Sequence, residues 1–149
     1  MRQIAEFVSV LSCGLFAGAS IYVNLVEHPA RMECGTQLAA TEFPPSYRRA
    51  TVMQAALATL GLVASIAAWQ LGATFWWAVA GAVLGTVIPF TVIVIFPTNK
   101  KLLSPTLDKT SAHAKTLLAR WAVLHAVRSV LSGLAFLGFL YLVIFRDSY

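Results

Sequence analysis

The amino-acid sequence predicts an all-α fold, a bundle of four transmembrane helices with two longer loops on one, cytoplasmic side. Three observations predict it. Only 11% of the 149 residues are charged and 58% are hydrophobic, against about 25% charged in an ordinary soluble domain, and the mean hydropathy is +0.75. From Ala50 through Asn99 there is no Asp, Glu, Lys or Arg, a stretch long enough for two helices of about 20 residues across a hydrocarbon layer of about 30 Å. Two further apolar runs flank that block, and lipid leaves the backbone amides of each no partner except its own carbonyls, so each is a helix. The chain is read as a single integral membrane domain, residues 1–149, with spans at about 4–26, 50–71, 74–96 and 121–145.

Arg2 precedes the first apolar run, and the small residues Ala17 to Ala19 resemble a cleavage site, but the segment is expected to be retained. The first long loop carries "EFPPSYRR", Glu42 to Arg49, where Pro44 and Pro45 are expected to break the chain ahead of span two, with a short surface helix over 30–41. Spans two and three form a tight hairpin around "QLGATFWW", with Trp69, Trp76 and Trp77 as interfacial anchors. On span three Gly81, Gly85 and Pro89 recur every four positions, the first two allowing close helix contact and the third bending the helix before Pro97 halts it. In the second long loop Pro105 and Ser111 are start signals, and from Ser111 to Phe145 nothing interrupts the helical pattern. That last helix is longer than the bilayer, so its first part projects. Cys13 lies mid-span and Cys34 in a loop, at depths too different for a disulfide.

The formal net charge of +5 is a matter of topology rather than of nucleic-acid binding. Arg31, Arg48, Arg49, Lys100, Lys101, Lys109, Lys115 and Arg120 flank or occupy the two long loops, whereas the other side has Arg2 and Arg146. The positive-inside rule puts the long loops in the cytoplasm and both termini on the opposite side. The expected partners are the lipid bilayer and a lipophilic small molecule, with no nucleic acid; homo-oligomerisation is left open.

The polar residues converge at the cytoplasmic end. At about 100° per residue Trp121, His125, Arg128 and Ser132 share one stripe of the last span. Arg128, two turns inside the apolar run, needs an acceptor. Cys13, Ala17, Ser20, Asn24, Glu27 and His28 lie along one broad side of the first span, and either Glu27 or the Asn24 carbonyl would serve, Glu27 being the better match for a guanidinium. Gln54 on span two and Thr98 and Asn99 after Pro97 lie at the same depth, and Tyr47 precedes span two. Singly these residues have structural readings: Glu27, His28 and Arg31 as interfacial groups, His125 as a core histidine. Four helices aiming polar groups at one depth favour a cavity.

Three segments, "YVNLVEHPAR" (22–31), "PTNKKL" (97–102) and "RWAVLHAVRS" (120–129), resemble the recurrent segments of the anthrone oxygenase-like family of small four-helix membrane proteins, many of them known only as a domain of unknown function. The resemblance covers nearly the whole chain in order and spacing. Fungal members are associated with oxidation of polyketide anthrones to anthraquinones by dioxygen, with no evident organic cofactor or metal. What the resemblance implies falls on Glu27, His28, Pro29 and Arg31, on Pro97, Thr98 and Asn99, and on Trp121, His125 and Arg128.

On this reading the protein is a membrane-embedded, cofactor-independent monooxygenase for a lipophilic phenolic or polycyclic aromatic substrate. His28 or His125 removes a proton, a task suited to an unperturbed pKa of about 6.5. Asn99 and Arg128 hold the enolate and Glu27 orients; Asn24, Trp121, Gln54, Tyr47 and Thr98 bind substrate. Two alternatives stand beside it: a haem or transition-metal site using His28 and His125, and a non-catalytic binder or transporter of a lipophilic molecule.

Overall fold

In the computed structural model, residues 1–145 are described; Arg146, counted above among the charges of the side opposite the loops, lies outside the described residues. Four long apolar helices make up the chain: α1 (Arg2–Glu33), α2 (Thr36–Gln70), α3 (Trp76–Leu102) and α4 (Ala112–Ile144). The described residues contain no strand. Alternating direction along the chain, the helices form an integral multi-pass membrane bundle. Gly35 and Gly72, at φ 98° and 94°, turn the chain after α1 and α2 in a conformation that side chains disfavour.

The span limits differ from the expected ones in the first loop. Pro44 and Pro45 do not break the chain; they lie inside α2, which runs unbroken from Thr36 to Gln70. The reason is tertiary. Ala39, Ala40 and Phe43 are almost wholly buried and pack with Ile95, Leu102, Leu117, Leu118 and Trp121, so apolar burial holds a helix that loses two backbone hydrogen bonds at the prolines. At 1.5 Å per residue α2 and α4 are each about 50 Å long, and both project beyond the bilayer at the loop end. Ser111 caps α4, its hydroxyl accepting from the Ala114 amide at 3.1 Å. No helix starts at Pro105, which sits in a turn.

Pro97 does not halt α3. It stands at the first turn of a helical segment that continues through Leu102, where a missing N–H costs nothing. The helix accommodates it by widening. Over Thr91–Ile95 the hydrogen bonds run five residues apart, with the Phe96 amide bonded to the Thr91 carbonyl. The same device precedes Pro29 on α1, over Val23–Glu27, where the His28 amide reaches Val23. A wider turn relieves the clash a proline ring makes with the carbonyl four residues back.

Two apolar cores stack along the bundle. The first, at the hairpin end, joins Cys13, Phe16, Ala58, Trp77, Leu84, Val87 and Phe139. Trp77 is therefore a core residue against Phe139, ring centroids 5.4 Å apart, while Trp69 and Trp76 stay exposed as anchors. Here α2 and α3 nearly touch: a Cβ built on Gly81 would lie 1.7 Å from Ser65 Oγ. The second core is the cluster around Phe43 and Trp121 at the loop end. Cys13 is buried and Cys34 exposed, both as free thiols.

Candidate functional site

Between the two cores lies a cavity of about 310 Å³ to which all four helices contribute. Its aromatic wall comes from Phe16 on α1, Phe43 and Tyr47 on α2, and Trp121 on α4. Phe43 stacks on Tyr47 and meets Trp121 edge-on, at 5.7 and 5.3 Å between centroids. Its charged, amide and imidazole groups are Arg31, Gln54, Asn99, His125 and Arg128, with hydroxyls from Ser46, Thr51 and Thr91.

The widened turn of α1 builds the next layer. It turns Asn24 toward α4, where the amide nitrogen donates to the Ala122 carbonyl at 3.0 Å. A backbone carbonyl can only accept, so this contact fixes which end of the amide is which. The Asn24 oxygen then faces His125 Nδ1 at 2.7 Å and accepts from Ser129 Oγ at 2.6 Å. With an acceptor opposite it, Nδ1 must carry a proton, which leaves the lone pair of the neutral ring on Nε2. Asn24 itself does not line the cavity; it stands behind His125.

Arg128 is not paired with Glu27. Its Nη2 donates to Gln54 Oε1 at 2.7 Å, its guanidinium lies 5.3 Å from the centre of the Phe16 ring, and its Nε has no partner among the described residues. Glu27 pairs instead with Arg31, four residues along the same helix, and accepts from Ser46 Oγ at 3.4 Å. Arg31 also meets Glu42 on α2 at 2.8 Å. It is thus a buried link between two helices rather than a loop charge, and Glu42 is a second carboxylate at this end because α2 starts early enough to carry it. The widened turn is the physical cause: it shifts the phase of everything beyond Val23, moving Glu27 off the face that regular helical counting assigns.

Asn99, 1% exposed, lines the cavity with its side-chain oxygen unpartnered. Of the residues expected to act on substrate, His125, Asn99 and Arg128 line the cavity, as do Trp121, Gln54 and Tyr47 of the expected binding set. Glu27, His28, Asn24 and Thr98 do not. His28 is buried on the far side of the wall, its ring 5.5 Å from that of Trp121, which in turn is 4.7 Å from His125. His28 Nδ1 has no partner among the described residues. Sequence reasoning missed Ser129, although it follows His125 by one helical turn, and missed Phe43, which was assigned to a proline-broken loop. Among the described residues no three His, Cys, Asp or Glu side chains come together as a metal-binding group.

The class defined by this fold and site is a small four-helix membrane protein with a polar hollow between two apolar layers. A family model described as anthrone oxygenase matches residues 43–138, nearly two thirds of the chain, and the protein belongs to the anthrone oxygenase family. The match includes Tyr47, Gln54, Asn99, Trp121, His125 and Arg128 and begins after Asn24, Glu27 and His28. No curated protein and no solved structure matches the chain.

Proposed function

We propose that the protein is a membrane monooxygenase that uses dioxygen directly to oxidise an activated carbon of a lipophilic phenolic or polycyclic aromatic substrate. The balance is that of a methylene becoming a ketone: one oxygen atom enters the carbonyl, the other leaves as water with the two hydrogens, and the carbon loses the four electrons that dioxygen gains. His125 Nε2 takes the first proton from the acidic carbon. Arg128 and Asn99 hold the oxygen of the resulting enolate while it passes an electron to dioxygen, the kind of fixed dipole and charge that stabilises a developing anion. Recombination at carbon gives a hydroperoxide, and loss of water gives the ketone.

The observation that carries this reading is the tautomer set by Asn24. An imidazole whose Nδ1 proton is held by a fixed acceptor presents a free base at Nε2, the arrangement general-base histidines require. Trp121, Tyr47 and Gln54 shape the site for a flat ring, and Asn24 positions the base. Behind Trp121, His28 serves as a positioning group, with Glu27 anchoring Arg31; Thr98 backs Asn99. The site sits at the basic, loop end of the bundle, which we assign to the cytoplasm.

The test is oxygen uptake by the purified protein with anthrone-like and hydroquinone-like phenols. His125→Ala should lower the rate at least a hundredfold, the contribution of a general base being about 10²–10⁴, whereas His28→Ala should lower it less. Equal rates for wild type and the double variant would overturn the proposal.

A further inference from the structure

The cavity has a side door. At the hairpin end α2 and α3 are locked together at Gly81 and Ser65, but past Gly85 the regular course of α3 is interrupted at Thr86 and again by the wide turn over Thr91–Ile95. Along that stretch α2 and α3 make few contacts. Five residues there line the cavity and are exposed on the outer surface as well: Thr51 and Ala55 on α2, Ile88, Val92 and Phe96 on α3. Ile88, Val92 and Phe96 are 37, 62 and 49% exposed. Residues that face both ways mark a mouth, and these belong to the charge-free block, so the mouth opens sideways into lipid rather than into water.

An apolar layer crosses the loop end beside the cavity. Ala39, Ala40, Leu117 and Leu118 are packed together in it. Inside, Arg128 has a neutral amide as its hydrogen-bond acceptor and, among the described residues, no carboxylate partner. A cation in that position is costly without a counter-charge, and Asn99 stands nearly wholly buried with its side-chain oxygen unpartnered among the described residues. A volume of about 310 Å³ is at the small end of ligand pockets; it holds a fused ring system and leaves no room for a long chain.

We infer that the ligand of this cavity is an amphiphile, an acidic aromatic head seated against Arg128 and Asn99 with an aliphatic tail leaving between α2 and α3 into the bilayer. The inference rests on the oxygenase reading only in taking the same cavity as the substrate site. Arg128 selects the ionised ring oxygen, the aromatic wall selects the ring, and the mouth past Ala55 and Val92 admits the tail. The ligand class is therefore an alkylated or prenylated acidic phenol or hydroxyquinone drawn from the membrane.

Binding, not turnover, tests it. The full chain in lipid nanodiscs is titrated with 2-hydroxy-1,4-naphthoquinone, with its 3-undecyl derivative, and with oleate, and tryptophan quenching is read against empty nanodiscs; oleate binding is read by competition. The undecyl compound should bind at least tenfold more tightly than the tailless one. Ala55→Trp and Val92→Trp, both at the mouth, should each erase that advantage while the tailless compound still binds, which also reports that the variants are folded. Arg128→Gln should weaken both ring compounds at least tenfold.

A tail advantage that survives in both mouth variants, or no advantage in the wild type, would overturn the side door. Oleate competing as strongly as the undecyl compound would overturn the aromatic head. Binding of this pattern by a protein that takes up no oxygen with the anthrone-like and hydroquinone-like phenols would remove the oxygenase reading and leave the amphiphile standing.

Discussion

Replacing Asn24 by leucine removes three contacts at once with little change of volume. The amide donates to Ala122 at 3.0 Å and accepts from His125 at 2.7 Å and Ser129 at 2.6 Å. Interhelical hydrogen bonds in membranes average about 0.6 kcal/mol each, so the three together are worth about 2 kcal/mol. The full penalty of stranded polar groups does not apply, because Ser129 keeps the His125 carbonyl as an acceptor at 3.4 Å. The assay is unfolding in mixed detergent micelles with rising dodecyl sulfate, followed by tryptophan fluorescence.

Activity gives a second readout. Loss of the fixed acceptor frees His125 to hold its proton on either nitrogen, which costs about twofold, and removes the acceptor of the imidazolium that forms in the transition state, where about 1.4 kcal/mol is tenfold in rate. Asn24→Leu should therefore lower kcat about tenfold with KM little changed. Asn24→Asp keeps acceptors opposite Nδ1 and should recover part of the rate. An Asn24→Leu protein as stable as wild type, with unaltered kcat, would refute both the network and the tautomer argument.

Gly81→Ala should destabilise by about 1–3 kcal/mol, because the new methyl would overlap Ser65; Gly138→Ala, whose methyl would meet Ala80 Cβ at an ordinary 3.7 Å, should be close to neutral in the same unfolding assay. Glu27→Gln and Glu42→Gln should each cost less than about 1 kcal/mol, since the two carboxylates are 33 and 40% exposed and either one still pairs with Arg31. The double variant leaves buried Arg31 without a partner and should cost well beyond the sum, a coupling that a double-mutant cycle measures. Arg128→Lys should raise KM for an acidic substrate more than it lowers kcat, because a lysine loses the planar fork that reaches Gln54 and lies over Phe16.

Much of this architecture was legible before any coordinates. The charge-free block from Ala50 to Asn99 dictates the central hairpin, since nothing but helix satisfies the backbone in lipid. The stripe of Trp121, His125 and Arg128 on α4 follows from helical angle alone, and α4 is regular over its whole length. Counting failed where the helix is not regular. On α1 the widened turn breaks the phase between Asn24 and Glu27, so a face drawn with one period joins residues that end up on different sides. Charge matching failed for Arg128 because a charged partner was sought where a neutral one, Gln54, was already within reach. The prolines of α2 were read by local propensity, and burial of Phe43 and its neighbours overrode it.

Pro29 and Pro97 occupy equivalent places on two helices that run in the same direction. Each follows a five-residue wide turn by two positions and precedes by two the side chain, Arg31 or Asn99, that reaches the hollow. Spacing works here as a gauge. Deleting one residue from 23–27 or 91–95 would let an ordinary ladder close and swing all that follows by about 100°, the angle one residue subtends. Such a deletion would leave composition and hydropathy almost untouched and still aim the polar groups at lipid, so within these two windows the chain tolerates exchange of letters far better than a change in their number.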